Sequence, residues 1–79
     1  MTKHFNPTTF CEHDYVQIHN EKGFVLAISI FDVGTGTSHR YRVAGAGLIL
    51  LTTKVLNHAC DAANSIVDGF SRAGFEVVK

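Results

Sequence analysis

Apolar and polar residues alternate along the first half of the chain, with the period of a half-buried β-strand. The first alternating stretch is YVQIHN, residues 15–20, which the turn sequence NEKG follows. FVLAISIF, residues 24–31, is rich in β-branched and aromatic residues, and a second glycine-containing turn, DVGTGT, separates it from SHRYRVA, residues 38–44. The pattern therefore predicts three antiparallel strands in a meander.

The apolar spacing changes to three and four residues in the second half, which is typical of one face of an α-helix. Residues at this spacing are Leu48, Leu51, Val55, Ala59, Ala62, Ile66 and Phe70, while Asn57, Asp61, Asn64, Asp68 and Arg72 line the opposite face. Gly74 suits a left-handed C-terminal cap, and FEVVK predicts a short last strand. The predicted fold class is α+β: a small single domain with an antiparallel β-meander of three to four strands packed against one long C-terminal helix, in the order β-β-β-α-β.

The sequence leaves the start of this helix open. The spacing that begins at Leu48 slightly favours an early start. In the alternative, Thr52 or Thr53 is the N-cap, LILLTT is a fourth strand, and AGAG is the hairpin that joins it to the third.

Residues 1–13 are predicted to form an irregular N-terminal arm in front of one α+β domain over residues 14–79. The arm contains the only proline, Pro7, next to Asn6 and two threonines, and such residues favour turns. Its first ten residues lack the apolar core of a signal peptide. The longest apolar run, residues 43–51, has about half the length that a membrane span needs. We therefore expect a cytoplasmic protein that does not contact a membrane.

The charge balance restricts the classes of partner. Seven basic and seven acidic residues give a formal net charge of zero, which argues against an affinity based mainly on neutralising phosphates. It also removes the repulsion that keeps small proteins apart. Because 46% of residues are hydrophobic and only 18% are charged, either a well-filled core or a homodimer or other complex accounts for the apolar residues.

Gly45 and Gly47 come directly before four large apolar residues, and such a pair has two interpretations. A phosphate loop needs free N–H groups at a helix N-terminus, but neither GxGxxG nor GxxxxGK[ST] is present. Leu48 and the residues after it would also cover the mouth of such a loop. The pair therefore predicts a change of chain direction.

Two short stretches, CEHD and HAC, contain the residue types that bind zinc. However, His58 and Cys60 lie in the predicted helix, where two steps rotate the side chain by about 200°, so they cannot face one ion. Cys60 is predicted to be a small core residue, and Cys11 lies in or beside the arm. We expect no metal, no cofactor and no catalytic residues, and the prediction is that the protein is not an enzyme.

Alternation divides the predicted sheet into two faces. The residues expected to point inward are Val16, Ile18, Phe24, Leu26, Ile28, Ile30, Tyr41 and Val43, and those expected to point outward are Tyr15, Gln17, His19, Val25, Ala27, Ser29, Phe31, Arg40 and Arg42. The outward set lacks lysine and glutamate but has the aromatic and arginine types that are enriched at interfaces. The predicted partner-binding residues are Tyr15, Gln17, His19, Phe31, Arg40 and Arg42.

Two alternatives to this surface remain open. The arm would cover the outward face if Phe5 and Phe10 packed on it. The mildly acidic helix face that includes Asp61 and Asp68 would itself be a surface for a basic partner.

The favoured function is a small non-enzymatic interaction module that binds and regulates or inhibits a larger protein or nucleoprotein complex, with a homodimer as a further expectation. Accessory proteins of phages and mobile elements, including inhibitors of host defence, share this size and architecture, which is an analogy and not a family match. The alternative is a protein that binds single-stranded nucleic acid by stacking bases on the open sheet. Nucleic acid is the weaker choice because the net charge is zero and the ribonucleoprotein motif is missing.

Overall fold

The computed structural model describes residues 4–34 and 39–79. These residues form one antiparallel sheet of five strands and one helix. The elements are β1 (His13–Asn20), β2 (Gly23–Asp32), β3 (Tyr41–Gly45), β4 (Leu48–Thr53), helix α1 (Leu56–Arg72) and β5 (Glu76–Val78). The spatial order of the strands is β4-β3-β2-β1-β5. The predicted α+β class is confirmed, with chain order β-β-β-β-α-β.

Some predictions fall outside the described residues. These are the first three residues of the arm, the end of the DVGTGT turn and the start of the third predicted strand at Ser38. In the described part of the chain, no helix is long and apolar enough to cross a membrane.

The segment after the glycine pair is strand β4, so the early helix start at Leu48 is wrong and the hairpin at AGAG is right. Ala46 and Gly47 both have positive φ, at 54° and 78°, and two such residues form the tight turn that matches the twist of a hairpin. The glycine pair therefore reverses the chain between two strands. Helix α1 begins only after Val55, which is its N-cap, so the predicted N-cap at Thr52 or Thr53 is wrong; both threonines belong to β4.

Helix α1 packs its small residues against the sheet, and its buried positions are Ala59, Cys60, Ala63, Asn64 and Val67. The predicted apolar face was partly wrong because its first members lie before the helix. Leu51 and Val55 are exposed, whereas Ile66 and Phe70 are half-buried against the core. Asn64, predicted on the solvated face, is buried.

Most inward positions of the meander are fully buried in the core, as their alternation predicted. Phe24 is the correction, since it is 60% exposed. A β-bulge at Ile18/His19 shifts the register, so that Phe24 pairs with His19 of the outer face. A bulge adds one residue to one strand and thereby reverses the alternation beyond it.

The N-terminal segment packs on the inner side of the sheet. Phe5 is completely buried in the core, and Phe10 packs edge-on against Tyr41, with ring centroids 6.1 Å apart. The alternative in which these two rings cover the outer face is therefore wrong. The boundary between arm and domain at residue 13 stays a prediction.

Candidate partner-binding surface

Three rings stack on the outer face where β1 begins. His13 lies opposite Phe31 in the β1–β2 register, with ring centroids 4.5 Å apart and planes 10° apart. Tyr15 also stacks on His13, with a centroid distance of 5.6 Å. We call His13, Tyr15 and Phe31 the aromatic stack. Its members fix one another's orientation while Tyr15 and Phe31 stay 46% and 39% exposed.

A second group of side chains lies at the other end of the same face. His19 meets the Phe24 ring edge-on, with centroids 5.9 Å apart. The His19 Nε2 atom is 2.8 Å from Gln17 Oε1, which is a hydrogen-bond distance. These contacts hold Gln17, His19 and Phe24 in place beside the bulge.

An open apolar groove separates the two groups. Its floor consists of small residues, Ala27 and Ser29 of β2 and Ala44 of β3, and Ile49 of β4 contributes to its side. Phe24 and Phe31 close its ends, and its volume is about 510 Å³. We call it the outer groove. Its size and lining suit apolar side chains from a partner.

Charge is sparse on this sheet. Arg42 is exposed and is the one arginine or lysine within the five strands. In the register it pairs with Phe31 on one side and Thr52 on the other. The outer face therefore combines aromatic and apolar surface with a single arginine.

Arg40 differs from the other predicted site residues because its head group is held by this chain. Its Nε and Nη2 atoms donate to the two carboxylate oxygens of Asp32, both at 3.0 Å. The guanidinium also lies over the ring of Tyr41, an inner-face residue, 5.1 Å from the ring centroid. The hydrogen bond from Arg40, and then that from the Gly34 N–H, lowers the pKa of Asp32. Asp32 in turn raises the pKa of Arg40.

Five of the six predicted residues thus share the outer face: Tyr15, Gln17, His19, Phe31 and Arg42. Sequence reasoning missed His13 and Phe24. His13 continues the alternation of Tyr15 by one step, but it was considered only as a metal ligand. Phe24 gave no signal, because nothing in the sequence marks the bulge.

The thiols and other ligand types do not assemble in the described residues. Within residues 4–34 and 39–79, no three histidine, cysteine or acidic side chains lie close enough together to hold a metal ion. Cys11 is exposed and Cys60 is buried. Burial, followed by the nearby charges of Asp61 and Asp14, raises the pKa of the Cys60 thiol. Cys60 is a core residue, as predicted.

Comparison with known protein families, curated proteins and solved structures gave no match for this chain.

Proposed function

We propose that this chain is a non-enzymatic interaction protein that binds a larger protein or nucleoprotein complex through the outer face of its sheet and so regulates or inhibits it. The observation that carries the proposal is the aromatic stack, exposed at one end of the outer groove. A phage or mobile-element accessory role, such as inhibition of host defence, is the analogy behind the regulatory part.

The exposed rings offer enough surface to anchor a partner. A buried aromatic side chain removes about 150–250 Å² from water, so the exposed part of Tyr15 or Phe31 amounts to roughly 80 Å². At about 25 cal/mol per Å², each ring would contribute about 2 kcal/mol on binding. Because stacking on His13 already orders both rings, little side-chain entropy is lost when a partner covers them.

The charge distribution favours a protein over a nucleic acid as the partner. Stacked aromatic rings suit single-stranded bases, and that observation keeps nucleic acid as the second candidate. However, a nucleic-acid groove follows the backbone with several cations, whereas the strands supply only Arg42. The small apolar floor of the outer groove also suits aliphatic or aromatic side chains better than phosphates.

The sheet face is favoured over the acidic helix face. Asp68 already pairs with Arg72 at 3.0 Å, which reduces the acidic character of that face, and Asn64 is buried and offers a partner no contact. The proposal also places the protein in the cytoplasm. Both cysteines are free of disulfide bonds, which fits a reducing compartment.

The test is a comparison of two surface variants against an identified partner. The tagged protein is used to capture its partner from a lysate of the source cells, and the dissociation constant of the purified pair is then measured by calorimetry. Tyr15→Ser with Phe31→Ser should weaken binding at least tenfold, since each ring contributes more than the 1.4 kcal/mol that a factor of ten requires. Circular dichroism checks that both variants stay folded.

Asp61→Ser with Ser65→Ala on the exposed side of α1 is the matched control and should bind as the wild type does. If the helix variant loses binding and the sheet variant keeps it, the proposed surface is wrong. Nucleic acid becomes the better assignment if oligothymidine binds in fluorescence anisotropy, weakens with added salt and depends on the two rings.

A further inference from the structure

Strand β4 is an open edge of the sheet, and its first four side chains, Leu48 to Leu51, are apolar. Within the described residues it has one neighbouring strand, β3. Four consecutive aliphatic side chains, Leu48 to Leu51, are between 39% and 65% exposed. An edge strand presents unpaired N–H and C=O groups, so proteins normally protect it with charges, proline or short length.

The opposite edge is short and charged, whereas β4 is neither; the one protective feature of β4 is a β-bulge at Leu50, which its pairing with β3 skips. Strand β5 has only three residues, begins with Glu76 and is followed by Lys79, which pairs with Asp14 at 3.0 Å. Strand β4 has six residues and contains no charge and no proline. The two edges therefore differ in the feature that decides whether a strand can pair.

We infer that β4 pairs antiparallel with β4 of a second copy of this chain, which joins the two sheets into one sheet of ten strands. A strand that pairs with β4 must offer backbone donors and acceptors along its edge and apolar side chains on both faces. A second copy offers both, because a two-fold axis makes one strand edge complementary to itself.

The inner side of β4 also favours a second copy of the chain as the pairing strand. An open apolar groove of about 410 Å³ lies between the strand and the second half of α1. We call it the inner groove, and its large lining residues are Leu26, Ile28, Leu48, Leu50, Ile66 and Phe70. A two-fold axis perpendicular to the sheet places both helices on one side, so the two inner grooves meet across the axis.

Charge and area both permit the pairing. In a register centred on Ile49 to Leu51, Lys54 of each copy lies three to five residues from the axis, so the two lysines are roughly 20–34 Å apart along the strands. The net charge of zero adds no repulsion between the copies. The exposed parts of the four aliphatic side chains supply on the order of half of the roughly 800 Å² that each partner contributes to a standard interface. The strand backbone and the inner groove supply more.

The same axis places both outer faces on one side, so a dimer would present two aromatic stacks to a partner. The pairing does not depend on the proposed function, since the aromatic stack lies on β1 and β2, although Ile49 of β4 also lines the side of the outer groove. A monomer whose binding still requires Tyr15 and Phe31 would refute the dimer and leave the proposed function standing.

Light scattering and sedimentation over a concentration series test the pairing. We expect a mass of about twice 8.6 kDa for the wild type at high concentration. Ile49→Lys adds a charge on the outer side of β4 and brings two like charges near the axis, so it should raise the dimer dissociation constant at least tenfold. Val78→Lys is the matched control, because it adds the same charge to the other edge strand and should leave the dimer intact.

A cysteine scan locates the axis and does not depend on one variant. In a Cys11→Ser background, single cysteines are placed at each position from Leu48 to Leu51 and at Val78, and oxidised. Only a residue near the axis has its counterpart within disulfide range, about 4.4–6.8 Å between Cα atoms. Cross-linking at one or two β4 positions and not at Val78 supports the pairing. A monomer at every concentration, or a dimer that Ile49→Lys leaves unchanged, overturns it.

Discussion

Asn64 is the residue whose replacement should test the fold most directly, because it ties the N-terminal segment to helix α1. Its Oδ1 atom accepts hydrogen bonds from the backbone N–H groups of His4 at 3.0 Å and Phe5 at 2.8 Å. Its Nδ2 donates to the Phe5 carbonyl oxygen at 2.9 Å. The Phe5 side chain beside it is completely buried. Asn64→Ala would remove three hydrogen bonds and leave the Phe5 backbone buried without partners.

The expected loss is about 3 kcal/mol in the free energy of unfolding. Three hydrogen bonds at about 1 kcal/mol each give this figure, and unpaired buried groups would increase it. The loss has an upper limit, because the N-terminal segment can detach from the core and return its backbone groups to water. Detachment takes Phe5 out of the core and costs about 3–5 kcal/mol, the value for truncating a buried phenylalanine. A chain of this length has a total stability of roughly 4–12 kcal/mol, so the loss would be a large part of it.

Urea unfolding followed by circular dichroism measures the loss, at a low protein concentration so that self-association does not contribute. Asn57→Ala, on the exposed part of the same helix, is the matched control. Both variants gain the same helix propensity, up to about 0.7 kcal/mol, which cancels when they are compared. A difference below about 1 kcal/mol between the two variants would refute the role given to Asn64.

Two further predictions concern titratable groups. Because the folded pKa of Asp32 is lowered, its ion pair stabilises the fold above the ordinary pKa of about 3.9, and this stability is lost as the pH falls through the lowered value. Asp32→Asn should therefore lower Tm at neutral pH, with a difference from wild type that shrinks as the pH falls below the ordinary pKa of Asp; a constant difference would contradict the ion pair. For the thiols, Ellman's reagent should modify only Cys11 rapidly in native buffer, because Cys60 is buried with a raised pKa. Both should react in guanidinium, and rapid modification of both in native buffer would place Cys60 outside the core.

The strands in the first half of the chain could be predicted because the alternation of apolar and polar residues indicates directly which side chains face the core. Val16, Ile18, Ile28 and Ile30 were assigned correctly on that basis, and all are buried. The bulge that turned Phe24 outward could not be predicted, since it arises from pairing with β1 and not from the local sequence.

Asn64 was assigned to the wrong face for a similar reason. A polar residue on a helix is expected in water, and only a partner 59 residues away reverses that preference. The segment that supplies the partner contains Pro7 and polar residues, and it gave no periodic signal. Periodicity reports how an element faces the core, but it cannot report a contact that a distant backbone makes.

The error at β4 has a physical cause that bears on the dimer. A continuous apolar run without alternation fits a strand buried on both faces as well as a helix, so LILLTT has the composition of a central strand although it lies at an edge. Five strands about 4.8 Å apart make a sheet roughly 20 Å wide, whereas a helix with its side chains is about 10 Å across. Helix α1 and the segment with Phe5 therefore leave the inner groove beside β4 open. Pairing with a second copy would make β4 a central strand, which is the environment that its sequence suits.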